Sequence, residues 1–250
     1  MNINDVHHFV VTRINMGMYA STPKSFLNTL EAKNRYMKAR LPVIRKYHIT
    51  SMKYQTDKNF KVIWIVDDKT PEVFVREIEE MSKEIDATII FDKWPDGENI
   101  VEGNCLAGNW LEKFKPMIKS ENVAITRLDS DDAVTNNFIS VIKGYFEEPP
   151  VCIDFWRRLT IDTRGRLFLL QAIPQNTARC TPTVTCIEKT VDLKTPFLGS
   201  HFKLSKIFPV KIYDDLVWCK RENRPPTSRL ISHLKESRLE DIKGFEGLGF

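Results

Sequence analysis

The stretch AITRLDSDDAV, residues 124–134, carries three aspartates within four positions. Asp129, Asp131 and Asp132 follow an apolar segment and an arginine, Arg127. Carboxylates this close repel one another, so a folded chain keeps them ionised where a cation or hydrogen-bond donors compensate for their charge. The sequence therefore raises the question of which positive charge lies beside them.

Asp129 and Asp131 are expected to act together. At a strand end, alternate side chains project to the same side, so both carboxylates would face one ligand. Oxygen ligands suit Mg²⁺ or Mn²⁺, which keep several waters and share the phosphate oxygens of a substrate. The alternative is that Asp131 or Asp132 caps the following helix. Capping leaves Asp129, predicted inside the strand, without a role, so the spacing favours a metal–diphosphate site.

The elements that must position these carboxylates alternate between strands and helices. Apolar runs predict strands at 7–15, 60–68, 87–92 and 122–129, and helical patterns fall at 23–54, with a break near Pro42, and at 70–85, 98–118 and 135–146. The repeat of strand and helix predicts an α/β fold, a three-layer sandwich with a mostly parallel central sheet.

Ligands of such sheets bind beyond the carboxyl ends of the strands. Three of the predicted strands end in polar side chains that could contact a ligand there: Thr12, Arg13 and Asn15; Asp67 and Asp68; Asp129, Asp131 and Asp132. If the strands are parallel, these side chains converge on one edge of the sheet.

The pattern changes after Pro149. Residues 151–162 and 165–173 flank a turn signal and predict a β-hairpin, and the Thr- and Val-rich residues 181–193 predict a further strand. We therefore divide the chain into a ligand-binding half, 1–148, and a β-containing C-terminal half, 149–250, of the same domain.

Composition is that of an ordinary globular protein, with 42% hydrophobic and 28% charged residues and a net charge of +4. The excess of basic residues between 24 and 61 fits a solvated helical face, and contact with an anionic membrane surface stays open. Five widely spaced cysteines predict buried, reduced thiols. With no basic, apolar leader and no long apolar run, we expect a cytoplasmic protein.

Three stretches carry a resemblance to a known family: HFVVTRIN (8–15), SMKYQTDKNFKVIWIVDDKTP (51–71) and ITRLDSDDAV (125–134). In order and spacing they resemble glycosyltransferases of the GT-A fold that use nucleotide sugars, and most closely the bacterial rhamnosyltransferases. The similarity covers roughly the first 140 residues. The second half matches more loosely, in TVTCIEKT (183–190) and GSHF (199–202).

The resemblance implies that residues 1–148 bind the nucleotide-sugar donor, that residues 149–250 form the acceptor side, and that a set of residues has roles at the donor site. Asp131 would be the direct ligand of Mn²⁺ or Mg²⁺, and Asp129 would lie nearer the ribose or the sugar while also facing the metal. His201, in GSHF, is placed where relatives supply a second metal ligand, although a lone histidine is as often structural. The remaining donor-contacting positions implied by the resemblance are Thr12, Arg13, Asp67, Asp68 and Asn109.

An inverting transferase also needs a carboxylate that deprotonates the acceptor hydroxyl. The resemblance makes Glu188 the first candidate and Asp154 the second. The competing interpretation of Glu188 is an exposed residue on a strand edge.

Together these features predict a metal-dependent hexosyltransferase of polysaccharide biosynthesis. It would move a sugar, rhamnose by the family resemblance, from a nucleotide-diphosphate donor to a glycan or glycolipid hydroxyl, with no nucleic-acid partner. A nucleotidyltransferase is the first alternative, although TRINMGMY (12–19) is a poor match to the Gly-rich signature expected there. The second is a non-catalytic relative that binds an anionic surface through residues 24–61 and needs no metal.

Overall fold

The computed structural model of this protein describes residues 5–19, 29–93, 109–155, 157–161, 167–170, 181–197, 201–221 and 234–236. These residues form strands that we number along the chain: β1 Val6–Arg13, β2 Lys61–Asp67, β3 Thr88–Asp92, β4 Asn122–Arg127, β5 Ala133–Val134, β6 Val151–Phe155, β7 Arg158–Ile161, β8 Leu167–Leu170, β9 Val184–Lys189, β10 Val210–Tyr213, β11 Trp218–Arg221 and β12 Leu234–Glu236.

Seven of these strands form the central sheet, in the order β10-β6-β9-β4-β1-β2-β3. All neighbours in this sheet are parallel except β9, which runs antiparallel to both β4 and β6. The other five strands form a second sheet, in the order β12-β8-β7-β11-β5. The predicted α/β fold with a mostly parallel central sheet is therefore confirmed.

The described helices are α1 Leu30–Ile44, α2 Thr50–Lys53, α3 Glu72–Lys83, α4 Trp110–Phe114 and α5 Phe138–Gly144. The Thr29 side chain begins α1 by accepting a hydrogen bond from Ala32 N, 3.1 Å away. The predicted break at Pro42 is wrong, because α1 continues through this residue. The irregularity comes later, as a π-helical stretch at Arg45–Ile49.

Helices cover both faces of the central sheet, as the alternation of side chains along the strands requires. On one face, Val10 and Trp64 belong to the cluster that receives Met37 of α1, Ile78 of α3 and Ile139 of α5. On the opposite face, the neighbouring strand residues Phe9, Val11 and Ile65 pack with Trp110 and Phe114 of α4 and with Phe197 from the segment after β9. The core is thus a three-layer arrangement around one sheet.

The C-terminal half contributes to both sheets. The predicted hairpin is confirmed for β7 and β8, which pair antiparallel. The first arm of the prediction, 151–162, is however divided, because β6 joins the central sheet while β7 turns into the second sheet. The strand predicted at 181–193 is present as β9.

The prediction of reduced thiols is wrong for one pair of cysteines. Cys152 of β6 and Cys186 of β9 lie directly opposite each other and form a disulfide. Cys219 is a free, buried thiol as predicted, and burial raises its pKa. Cys105 and Cys180 lie outside the described residues.

None of the helices among the described residues combines the length and the apolar character that a bilayer crossing needs.

Candidate functional site

The carboxyl ends of β4, β1 and β2 meet at one edge of the central sheet, because these three neighbours are parallel. Arg127, the last residue of β4, pairs with Val11 of β1, and Arg13, the last residue of β1, pairs with Ile65 of β2. Asp67, the last residue of β2, lies at the same edge. The predicted convergence of polar strand ends is therefore present in the fold.

Asp129 lies just beyond β4, and its side chain is 36% exposed. Its Oδ1 atom is 3.9 Å from Arg13 Nη2 and 3.7 Å from Arg127 Nη2. Both distances exceed the length of a direct hydrogen bond. Arginine therefore compensates for the charge of Asp129 without locking its carboxylate in place.

The two arginines share a face of the sheet and an aromatic neighbour. Arg13 follows Phe9 and Val11 at alternate positions of β1, so its side chain leaves the sheet on the face that carries α4. Its guanidinium carbon is 5.7 Å from the centre of the Phe197 ring, and that of Arg127 is 5.4 Å from it. Both distances are in the range of a cation–π contact.

Asp131 has a different environment from Asp129. It is buried, and its Oδ2 atom lies 2.5 Å from Arg40 Nη1, while Arg40 Nη2 donates to Ser130 Oγ at 3.0 Å. Burial alone would lower the pKa of Arg40, but the charge and the hydrogen bond of Asp131, together with Tyr36 and Asp132, outweigh it and raise that pKa. A side chain of α1 thus fixes the loop that carries the aspartates.

The expectation that Asp129 lies inside the strand is wrong. The strand β4 ends at Arg127, and Asp132 N donates to Asp129 O at 3.1 Å, which closes a turn. The alternation of side chains along a strand does not extend into a turn, so it does not place Asp129 and Asp131 on one side. Helix capping does not apply either, because α5 begins at Phe138, after β5, with Asn137 as its cap residue.

Asp67 holds the backbone around the edge. Its Oδ2 atom accepts a hydrogen bond from Tyr19 N at 3.1 Å, and its Oδ1 atom accepts one from Lys69 N at 3.0 Å. Burial raises the pKa of Asp67, although these two donors oppose the shift. Asp68, the next residue, is exposed. Thr12 is buried on the other face of β1, and its hydroxyl makes no hydrogen bond within the described residues.

Asn109 is exposed and precedes α4, beside the carboxyl end of β3. Its backbone N donates to Asp92 Oδ1 at 3.0 Å, and Trp110 N donates to Asp92 Oδ2 at 2.8 Å. Asp92 therefore ties the start of α4 to the last position of β3. The sequence signal for this role, which is not among the predictions above, is the carboxylate that ends the apolar run ATIIFD.

Glu188 lies far from the carboxyl edge. In β9 it pairs with Val123, whereas Val184 pairs with Arg127, so four residues, or about 13 Å of strand, separate it from that edge. Its carboxylate is buried and accepts hydrogen bonds from Lys194 N and Thr195 N. Burial raises the pKa of Glu188 to about 7, against these donors. The exposed strand-edge interpretation is wrong.

Asp154 lies level with the carboxyl edge. Val184 of β9 pairs with Asp154 of β6 on one side and with Arg127 of β4 on the other, so all three side chains share one face. Two strand spacings put Asp154 about 10 Å from Arg127. Its carboxylate is buried and accepts hydrogen bonds from Thr181 and Phe155. Burial raises the pKa of Asp154 to about 6, despite these donors.

His201 begins a short helix, His201–Lys206, but its side chain lies outside the described part of the chain. Within that part, no group of three or more His, Cys, Asp or Glu side chains lies close enough together to hold a metal ion.

The structure thus brings Arg13, Asp67 and Asp129 together at one edge, with Asp154 two strands away and Glu188 apart from them. The sequence patterns assign no role to Arg127 and do not indicate Arg40 or Phe197. Arg127 could have been found from its position at the end of an apolar strand. Arg40 and Phe197 reach the site only through tertiary packing, so no local signal marks them.

The fold is that of an open α/β protein in which arginine and aspartate side chains gather at the carboxyl edge of adjacent parallel strands. Residues 27–231 match the model of the family described as "Putative rhamnosyl transferase". The chain belongs to this family, and the family implies a glycosyltransferase with a sugar donor and an acceptor.

Among solved structures, the chain is similar to the inositol-1-phosphate CTP transferase from T. maritima. The two chains are 12% identical, with 91% of this chain and 94% of that chain covered, at a TM-score of 0.41. No curated protein matches the sequence.

Proposed function

We propose that this protein transfers a sugar, rhamnose by family membership, from a nucleoside-diphosphate donor to a hydroxyl group of a glycan or glycolipid. The observation that carries the proposal is the meeting of Arg13, Arg127 and Asp129 at the carboxyl edge of adjacent parallel strands. A diphosphate is the part of such a donor that two guanidinium groups recognise well, because they donate several hydrogen bonds in a planar arrangement.

The residues present fit a divalent cation at Asp129. Mg²⁺ and Mn²⁺ are commonly held by one or two carboxylates together with substrate phosphates and water, so a third protein ligand is not required. Asp129 is partly exposed and only loosely paired. The carboxylate of Asp131, in contrast, already forms a direct ion pair with Arg40. We therefore assign the cation to Asp129 rather than to Asp131. The chemistry that the cation supplies is neutralisation of the charge on the leaving diphosphate.

Asp154 is the better placed of the two candidate bases. It lies on the same face of the sheet as Arg127, at a backbone separation of about 10 Å across β9. A pKa of about 6 is also suitable for accepting a proton near neutral pH. Glu188 has a comparable pKa, but it lies about 13 Å further along the sheet, so we assign it no part in proton transfer.

The test is thermal unfolding with UDP, GDP, dTDP and CDP, each with Mn²⁺ and with a chelator. A ligand that binds only the folded chain stabilises it by about 2.7 kcal/mol when its concentration is one hundred times its Kd. We expect one diphosphate to raise the melting temperature, and to raise it more with Mn²⁺. The corresponding triphosphates are the control, because a nucleotidyltransferase would respond to them more strongly.

Failure of all four diphosphates to raise the melting temperature, with and without Mn²⁺, would reject the proposal. A rise that is equal with Mn²⁺ and with the chelator would keep the nucleotide site and reject the cation at Asp129.

A further inference from the structure

We propose that Phe197 is a positioning residue that holds Arg13 and Arg127 in the orientation that binds the donor diphosphate. The inference rests on the proposed function and deepens it, because it adds a residue that acts on the site from the C-terminal half of the chain. Phe197 itself would not touch the donor. It would act through the two guanidinium groups that lie over its ring.

Phe197 lies at the far end of a segment that returns along the sheet. The strand β9 runs away from the carboxyl edge, and the chain then comes back over the face that carries α4. Leu193 and Phe197 pack against this face, and the Phe197 ring is 5.6 Å from the ring of Trp110 in an edge-to-face contact. Since Phe197 is fully buried, its ring has a fixed place beneath the arginines.

Glu188 fixes the middle of the returning segment. Its carboxylate accepts hydrogen bonds from Lys194 N and from Thr195 N, the latter at 2.8 Å. Thr195 has a φ of 66°, a left-handed conformation that a β-branched residue rarely adopts. Its Oγ1 atom accepts a hydrogen bond from Phe197 N at 3.2 Å. A buried carboxylate thus maintains a strained turn that leads directly to the ring.

Both arginines need such a support to act as a pair. A long arginine side chain loses considerable conformational freedom when it is ordered, and guanidinium groups of like charge repel each other. The ring face carries partial negative charge, so a guanidinium above it is attracted to a defined position. The Phe197 ring provides this attraction for both arginines at once, in addition to the carboxylate of Asp129.

The test compares Phe197→Leu with Phe114→Leu. Phe114 is equally buried in the same cluster and packs edge-to-face on Phe9, but it belongs to α4. Both changes remove a buried ring and lower the melting temperature. Only Phe197→Leu removes the aromatic ring that contacts the arginines. Comparing the two variants therefore separates loss of stability from loss of positioning.

The readout is calorimetric affinity, below the melting temperature, for three probes: inorganic pyrophosphate, the diphosphate of the four-member panel that binds the wild-type chain, and its parent nucleoside. We expect Phe197→Leu to weaken binding of both diphosphate probes about tenfold, the effect of losing two cation–π contacts. Nucleoside affinity should stay unchanged, and Phe114→Leu should change none of the three affinities.

A second variant, Glu188→Gln, keeps the ring and loosens the turn that carries it. We expect it to weaken binding of the same two diphosphate probes, with nucleoside affinity kept. This variant carries the test if Phe197→Leu does not fold.

The inference fails if Phe197→Leu leaves pyrophosphate affinity unchanged, or if Phe114→Leu weakens it equally. Failure of the proposed function gives a different result. The wild-type chain would then bind pyrophosphate but none of the four nucleotides, and the positioning of the arginines would still be measurable. If the wild-type chain does not bind pyrophosphate either, both the proposed function and the positioning role of Phe197 are rejected.

Discussion

At the scale of single residues, the two aspartates of the Asp-x-Asp pair have separate physical roles. Asp129 is partly exposed and lies near two arginines at distances above 3.5 Å, whereas Asp131 is buried in direct contact with Arg40. Removing one member of a buried ion pair leaves the other charge uncompensated, which costs much more than removing a loosely held exposed one. We therefore expect Asp129 to be available for ligand binding and Asp131 to contribute to stability.

We expect Asp131→Asn to lower the free energy of unfolding by about 3 kcal/mol, because it leaves the largely buried Arg40 guanidinium, whose side chain is 12% exposed, without its carboxylate. Asp129→Asn should cost less than about 1 kcal/mol, because its ion pairs are long and solvent-screened. Urea denaturation of both variants measures the difference. Equal losses would contradict the role that we assign to Arg40.

The same two variants separate the roles in binding. We expect Asp129→Asn to lose the Mn²⁺-dependent part of nucleotide stabilisation, because it removes the carboxylate assigned to the cation. Asp131→Asn should keep that part, measured as the difference in melting temperature with Mn²⁺ and with a chelator. If Asp131→Asn alone loses it, the cation belongs to Asp131, as the family resemblance implies.

Asp154 gives the residue-scale prediction on catalysis. General-base catalysis contributes about 10² to 10⁴-fold to rates, so Asp154→Asn should reduce kcat by a factor in this range while diphosphate affinity stays unchanged. Hydrolysis of the donor, with water as the acceptor, is the assay. Glu188 cannot serve as the control, because it supports the arginines. Asp214→Asn, which changes an exposed carboxylate just beyond β10 at the same edge of the sheet, is the control for a general change of charge.

Sequence patterns predicted the residues that end strands but not their partners. Arg13, Asp67 and Arg127 follow from apolar runs that stop at a polar residue. Arg40 is 91 positions from Asp131, and no local periodicity connects them. The turn after β4 was also missed, because a strand pattern reports where apolar residues alternate and does not fix the backbone angles of the two residues beyond it.

At the scale of elements, long buried strands were the most predictable part of the fold. β2 is apolar at almost every position, because both of its faces are covered by helices or by other packed side chains. The division of residues 151–162 between two sheets was not predictable in this way. One apolar stretch serves either sheet equally well, and only the pairing of β6 with β9 and β10 decides its place.

The disulfide between β6 and β9 gives a prediction at this scale. Cys152 and Cys186 close a loop of 34 residues, and a cross-link of this length stabilises a fold by about 3 to 4 kcal/mol. We expect the Cys152→Ala, Cys186→Ala double variant to unfold at lower urea concentration than the wild-type chain. Added dithiothreitol should reduce this gap, because it opens the wild-type bridge and leaves the variant unchanged.

Cys219→Ala is the matched control for the loss of a buried sulfur. It should retain the sensitivity of the wild-type chain to dithiothreitol. A wild-type chain whose urea midpoint is the same with and without reductant would contradict the bridge.

At the scale of the whole molecule, two buried histidines and two buried carboxyl groups change the stability of the fold in opposite directions as the pH changes. Burial lowers the pKa of His8 and His48 to about 3 from an ordinary 6.5. Stability from these two is present above pH 6.5 and is lost as pH falls toward 3. Burial raises the pKa of Glu188 from 4.5 to about 7 and that of Asp154 from 3.8 to about 6. Their contribution is present at low pH and is lost as pH rises.

Between about pH 4.5 and 6, two groups therefore favour stability with rising pH and two oppose it, so their combined slope is near zero. We expect the free energy of unfolding of the wild-type chain to change little across this window. Of these four groups, a Glu188→Gln, Asp154→Asn double variant keeps only the two histidines. Its free energy of unfolding should then fall by about 2.7 kcal/mol per unit decrease in pH, the slope of two protons taken up on unfolding. Urea denaturation of both proteins at half-unit steps of pH measures the two slopes. If the two plots of unfolding free energy against pH are parallel, the buried carboxyl groups do not affect the pH dependence of stability. They would then not offset the buried histidines.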